Sequence, residues 1–157
     1  MTTATDADAP AVRTRTATQA DLLAIFRIEK ASFAQPWPFR AFERFLGSPG
    51  FLVADADEVV GYVVADDMPN HGRRLGHVKD IAVSPQYRGR DIGATLLDRA
   101  LAVMRERGVT TVKLEVRKSN EPARSLYRRF GFTHRKTAPN YYADGENALI
   151  LVRDPSR

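Results

Sequence analysis

The chain has 157 residues and no cysteine, with 24 lysines and arginines against 19 aspartates and glutamates, a formal charge of +5. That length carries one continuous core without a metal or disulfide staple, and a cysteine-free chain needs no oxidising compartment. The start "MTTATDADAP" has neither a basic n-region nor an apolar h-region, and no apolar run approaches the roughly 20 residues of a membrane span, so the expectation is a soluble, cytoplasmic protein with no membrane partner.

Residues 1–11, rich in Ala, Thr and Asp, read as a disordered N-terminal tail; 12–154 read as a single domain and 155–157 as a C-terminal tail. "VRTRTA" alternates like a short strand. Thr18 then caps a helix whose apolar positions Leu22, Leu23, Ile25, Phe26, Ile28 and Phe33 follow helical spacing until "AQPWP" breaks it. "FRAFERFLG" is a short helix ending at Gly47. "FLVADADEVVGYVVAD" reads as a hairpin turning at Asp55 to Asp57, and "MPNHGRRLG" as a polar loop. "HVKDIAVSP" is a strand ending at Pro85.

Next comes "SPQYRGRDIGATLLDRALAVMRERG". Ile92, Leu96, Leu97, Ala100, Leu101 and Met104 form one apolar helical stripe that Gly108 ends. In "TTVKLEVRK", Val112, Leu114 and Val116 point to one face of a strand and Lys113, Glu115 and Arg117 to the other. "NEPARSLYRRFGF" is a helix capped by Asn120 and stopped at Gly131. Two strands, "FTHRKTA" and "NALILVR", flank the loop "PNYYADGE". Strands and helices alternate without an internal repeat, so the fold class is mixed α/β.

A glycine-bearing turn entering a helix offers unpaired amides and a partial positive charge, and here Arg88 and Arg90 add to it. Neither the P-loop pattern nor G-x-G-x-x-G is present. "YRGRD" is therefore either a phosphate-holding turn or an exposed turn with Asp91 capping the helix. Glu115 is open in the same way, to a surface ion pair with Lys113 and Arg117 or to catalysis.

The succession of strand, R-x-x-G-x-G/A turn and helix, then a strand and an "N…A…LY…GF" helix, resembles the GCN5-related N-acetyltransferases (GNAT) from about Val12 to Asp154. The resemblance implies a mixed, mostly antiparallel twisted sheet of about seven strands, flanked by about four helices and splayed to form an acetyl-CoA cleft. It implies that Arg88, Gly89, Arg90, Asp91, Ile92, Gly93 and Ala94 wrap the pyrophosphate and that Asn120 contacts acetyl-CoA. Amides around Ile81, Ala82 and Val83 would hold the acetyl carbonyl. Asp91 stands where the family has glycine; the expectation is a helical or capping backbone there, with its carboxylate capping the helix and turned outward beside Arg90.

"LEVRKSNEPARSLYRRFGF" is similar to the RimI-type ribosomal-protein-alanine N-acetyltransferases, which implies Glu115 as general base and Tyr127 as general acid. A "YYADGEDA"-like block is similar to archaeal and eukaryotic N-terminal acetyltransferases as well. By that likeness Tyr141 and Tyr142 clamp the substrate's first residues opposite Phe33 and Trp37. The chemistry agrees: an α-amine near about 7.7–8.0 deprotonates more easily than a lysine near about 10.4. The implied partner is a protein N-terminus, that of a ribosomal protein among the candidates, and the enzyme a monomer or weak dimer. One alternative is acetylation of lysine or a small amine. Another is a basic nucleic-acid-binding module, against which stand the dispersed arginines and the absence of a recognition motif. His71, His77 and His134 are too scattered for a zinc pattern, so no metal is expected.

Overall fold

The computed structural model describes residues 11–154; most of the proposed N-terminal tail and all of the C-terminal one lie outside the described residues. Strand β1 (Arg13–Thr16) leads into a capping box, in which the Thr18 amide and hydroxyl both donate to the Asp21 carboxylate at 2.7 and 3.1 Å. Arg15 clamps the same carboxylate from the strand side at 2.8 and 2.9 Å. Helix α1 (Leu22–Ser32) follows, and buries Leu22, Ile25, Ile28 and Glu29. The proline-rich break then delivers the one-and-a-half-turn helix α2 (Phe39–Glu43).

Strands β2 (Phe51–Asp55) and β3 (Val59–Asn70) form the expected hairpin. The segment expected as a polar loop is instead a second hairpin. Strand β3 continues through Asn70 and β4 (Arg73–Val83) begins at once, with His71 and Gly72 turning at φ of 52° and 80°. Two central residues with positive φ are what a two-residue hairpin turn requires, and the His-Gly pair supplies them. Pro69 is tolerated because β2 pairs with β3 only as far as Val64, so the outer half of β3 has a free edge.

Helix α3 (Ile92–Glu106) is followed by β5 (Val109–Arg117), α4 (Glu121–Arg129), β6 (Thr133–Ala138) and β7 (Ala148–Arg153). Among the described residues the seven strands form one sheet in the order β1-β2-β3-β4-β5-β7-β6, antiparallel except for the β4–β5 pair. The sheet has a core on each face. On one, the predicted stripe of α3, with Leu96, Leu97, Ala100 and Met104 buried, packs on Val63, Val78, Val112 and Leu114 together with Tyr127 and Phe132. On the other, α1 and α2 cover Val53, Tyr62, Val64 and Ala82. No helix among the described residues is long and apolar enough to cross a membrane.

One irregularity positions everything that follows. Val64 faces Asp80 while its neighbour Ala65 faces Val78, so Lys79 is an extra residue in β4 and makes a bulge. Strand β4 pairs with β5 only up to Val78 opposite Leu114. Beyond the bulge β4 stays with β3, whereas β5 carries on to Arg117 against β7. The central parallel pair therefore splays into a V. A bulge both bends a strand and re-aims its side chains, which accounts for both effects here.

A candidate acyl-transfer cleft

The mouth of the V leads into α3, whose N-terminal amides no side chain caps. Gly89 turns at φ of 81°, and Asp91 adopts a left-handed conformation at φ 60°, ψ 20°. This corrects the expected capping role. The Asp91 carboxylate makes no cap hydrogen bond and lies 3.5 Å from Arg129, not beside Arg90. The left-handed backbone is the conformation for which glycine is the unstrained choice, and aspartate is among the few other residues that tolerate it. Asp91→Gly is therefore expected to raise thermal stability slightly and, by removing a carboxylate beside the uncapped amides, to tighten coenzyme A binding about threefold. Calorimetry that finds weaker binding in this variant would overturn that account.

The arginines of the turn are committed. Arg88 donates to the Val83 carbonyl and to Ser32 Oγ, both at 3.0 Å, and so ties the turn to β4 and to the end of α1. Arg90 lies over the Tyr87 ring at 4.9 Å. Ile92 is buried and anchors the helix start. A side chain added at Gly93 would meet only Leu126 and Val83, at 3.8 Å, an ordinary contact distance. The protein's own packing thus leaves room for alanine there. A helical glycine costs about 1 kcal/mol relative to alanine, so the retained glycine and Ala94 beside it suit close approach of a ligand to the amides.

Strand β4 supplies a second set of amides. The Ser84 amide donates to Val60 on β3 at 2.8 Å. Because N–H groups alternate sides along a strand, the Ala82 amide also faces β3, while those of Ile81 and Val83 face the open gap. Of the three residues expected to hold a carbonyl, Ala82 turns its amide to β3, Ile81 donates its amide to the Asp80 carboxyl, and Val83 turns its amide to the gap.

Inside the V lies a cleft of about 270 Å³ lined by Phe33 and Trp37 from the segment after α1, Asp80 and Ile81 from β4, Glu115 from β5, Asn120 and Tyr127 from α4, and Tyr142. The groove beside Phe132, Leu149 and Leu151 is larger, about 650 Å³, but no carboxyl group lines it. Glu115 and Tyr127, 12 residues apart in the chain, both line the smaller cleft. Asn120 caps α4, its Oδ1 accepting from the Ala123 amide at 3.2 Å, and lines the cleft as well. Tyr142 lies under Arg117, whose guanidinium is 4.1 Å from the ring centre. Tyr141 is half exposed, packs edge-on to Tyr142 at 5.0 Å and does not line the cleft.

His77, Gln35, Glu29, Tyr62 and Asp80 escaped sequence reasoning as site residues, whereas Lys113 and Arg117 are expected beside Glu115. His77 Nε2 lies 2.7 Å from Glu115 Oε1 and Lys113 Nζ 3.5 Å from Oε2. Burial works to raise the Glu115 pKa, but these two partners outweigh it and hold the carboxyl below its usual range. Arg117 reaches Asp144 and Glu146, both at 2.9 Å, and Gln35 at 3.2 Å, and so joins the two loops that border the cleft. Glu29 is buried; it accepts the Trp37 amide at 2.8 Å and the Tyr62 hydroxyl, and that hydroxyl is 3.4 Å from Asp80. Tyr127 is buried against Phe132, and burial, followed by the charges of Asp80 and Tyr142, pushes its phenol well above the ordinary value. Burial likewise pushes Tyr142 up to about 12. Among the described residues no group of three or more His, Cys, Asp and Glu is placed to hold a metal ion.

A model of the Acetyltransferase (GNAT) family matches residues 22–132. Over 151 residues, 88% of this chain, the sequence is 37% identical to an N-alpha-acetyltransferase of Sulfolobus acidocaldarius, of which the match covers 89%. Over 140 residues it is 32% identical to the [ribosomal protein bS18]-alanine N-acetyltransferase of Escherichia coli, covering 84% of this chain and 90% of that one. The crystal structure of Ard1 from Thermoplasma volcanium superposes with a TM-score of 0.84 at 28% identity, over 92% of this chain and 97% of that one.

Proposed function

The chain belongs to the acetyltransferase (GNAT) family and is an acetyl-CoA-dependent acyltransferase, and from that premise we propose that it acetylates the α-amine of protein N-termini within the β4–β5 cleft. The observation that carries this reading is the convergence of three groups in one V: gap-facing amides on β4, a carboxylate on β5 and a buried phenol on α4.

The residues divide the work. The uncapped amides of Ile92, Gly93 and Ala94, in a turn braced by Arg88, suit a diphosphate. Acetyl-CoA, held by its diphosphate at those amides, would supply the activated thioester. The Val83 amide faces the gap where the acetyl carbonyl would lie and suits the negative charge that develops on its oxygen, while the Ile81 amide beside it is shared with the Asp80 carboxyl. Glu115, directly or through water, takes a proton from the attacking nitrogen, and His77 Nε2, 2.7 Å from its Oε1, holds the carboxylate in place. Tyr127 donates to the departing sulfur. A phenol kept neutral by burial is available as a donor through the neutral range, and its proton goes to the departing thiolate, whose thiol has an ordinary value of about 8.5.

Phe33 and Trp37 on one side and Tyr142 on the other, held together through Gln35 and Arg117, border the entry for the peptide, with Tyr141 at the outer edge. The relatives that act on N-termini favour an α-amine over a lysine, as does its lower pKa. The net charge of +5 suits acidic peptides or an N-terminus presented on the anionic ribosome. The test is acetyl transfer to peptides beginning with Ala, Ser, Met or an acidic residue, alongside one with a blocked N-terminus and a free lysine. The free α-amines are expected to react and the blocked peptide to remain unmodified. Preferential modification of the lysine would replace this reading with that of a lysine acetyltransferase.

A further inference from the structure

Transfer to an ammonium removes two protons from one nitrogen. The first must leave before attack, to turn R–NH3+ into a nucleophile. The second leaves after the carbon–nitrogen bond has formed; one of the two ends on sulfur and the other in solvent. These protons differ greatly in acidity. The first comes from an α-ammonium near about 8, whereas the second comes from a nitrogen already bonded to the acyl carbon, which holds it far less tightly. Glu115, held to His77 and Lys113, is suited to the second. The cleft contains two more carboxyl groups, Glu29 and Asp80, that the scheme above leaves unused.

We propose that Asp80 takes the first proton, from the incoming α-ammonium, and that Glu29 and Tyr62 position it for that step. This rests on the acyl-transfer reading. Asp80 lines the cleft on the β4 side, next to Ile81, which also lines it and whose amide donates to the Asp80 carboxyl. It therefore borders the place where the nitrogen must approach the carbonyl carbon. The bulge at Lys79 turns Asp80 to the face of the sheet that α1 covers, with Tyr62 and Glu29 behind it. Glu29 is anchored by the Trp37 amide at 2.8 Å, so the acid pair is continuous with the segment that borders the peptide entry.

The charged and titratable groups around Asp80 are Glu29 on α1, Tyr62 on β3, Lys79 on β4, Glu115 and Arg117 on β5, Tyr127 on α4 and Tyr142. Neither cation serves the pair. Lys79 Nζ lies over the Phe45 ring at 5.7 Å, and Arg117 is held by Asp144 and Glu146. Burial, followed by the neighbouring Glu29 carboxyl, pushes the Asp80 pKa well above the usual range, which makes it a stronger base than Glu115 once ionised. A substrate ammonium supplies the positive charge the pair lacks. Its arrival displaces the Asp80 proton to solvent, after which Asp80 accepts the ammonium proton: one N–H bond breaks, one O–H bond forms, and a neutral amine remains.

Asp80→Asn keeps the shape and an oxygen facing the Tyr62 hydroxyl while removing the base. Its kcat/KM for a peptide with a free α-amine is expected to fall about tenfold at pH 7, the deficit set by the small fraction of free amine there, and to recover to near the wild-type value near pH 9.5, where the amine deprotonates unaided. Glu115→Gln is expected to show no such recovery. A loss at pH 7 smaller than about threefold, or an equal loss at both pH values, would overturn the assignment. An independent readout comes from carboxyl-carbon NMR of aspartate-labelled protein. One resonance, missing in Asp80→Asn, should titrate clearly above the ordinary aspartate value of about 3.9. If it titrates with the other carboxylates, the Asp80 assignment fails while acyl transfer stands. If wild-type protein acetylates no α-amine at either pH, acyl transfer fails and the Asp80 assignment with it.

Discussion

Glu115→Gln is expected to lower kcat about 100- to 1,000-fold while leaving the affinity for acetyl-CoA within about twofold of wild type. The separation follows from position. Glu115 projects from β5 on the face that carries His77 and Lys113, while the amides expected to hold the diphosphate lie at the start of α3. The substitution is isosteric and leaves His77 an oxygen to pair with, so the fold is retained. Because its partners hold the Glu115 carboxyl below its usual range, wild-type Glu115 is ionised throughout the neutral region, and raising the pH adds no further base. The deficit of the variant should therefore persist from pH 7 to pH 9. Turnover by stopped assay with calorimetric measurement of coenzyme binding checks both halves; a variant that lost coenzyme affinity in proportion to rate would place Glu115 in binding, not chemistry.

Tyr127→Phe is expected to cost about 100-fold in kcat, again with coenzyme affinity unchanged. Tyr127 is buried among Phe132 and the apolar face of α4, and its ring packing survives the substitution. What is lost is the proton for the departing sulfur. Burial holds the phenol protonated to high pH, so wild-type activity should show no alkaline decline from this group below about pH 10, the ordinary tyrosine value. A fall in wild-type rate between pH 8 and 10 that disappears in the phenylalanine variant would contradict a donor with a raised pKa.

What could be read from the sequence, and what could not, separates along physical lines. The apolar stripe of α3, the Asn120 cap and the placing of Glu115 opposite the apolar face of β5 depend on local periodicity and capping chemistry, and each is found as expected. Asp91 depends on one backbone torsion. Aspartate is common both as a helix cap and in left-handed turns, so its identity alone could not choose between them. The second hairpin was hidden by polar residues and by Pro69, which read as a loop until the free edge of β3 is known.

The acceptor side of the cleft was the least legible. In regular strand alternation His77 and Asp80 lie on opposite faces, and only the extra residue Lys79 brings them to the same one. Glu29 sits within an apolar helical stretch where a buried carboxylate has no local signal; its partners Trp37, Tyr62 and Asp80 come from three other segments. Tyr142 and Tyr141 are adjacent in sequence, yet only the first lines the cleft, because Arg117 stacks on it and draws it inward.

The most direct measurement is a crystal structure with coenzyme A bound. The diphosphate should rest on the amides of Ile92, Gly93 and Ala94, with the pantetheine arm running between the splayed strands β4 and β5 and its sulfur within hydrogen-bonding reach of the Tyr127 hydroxyl. A coenzyme bound outside that V, with its sulfur remote from both Tyr127 and Glu115, would contradict the account.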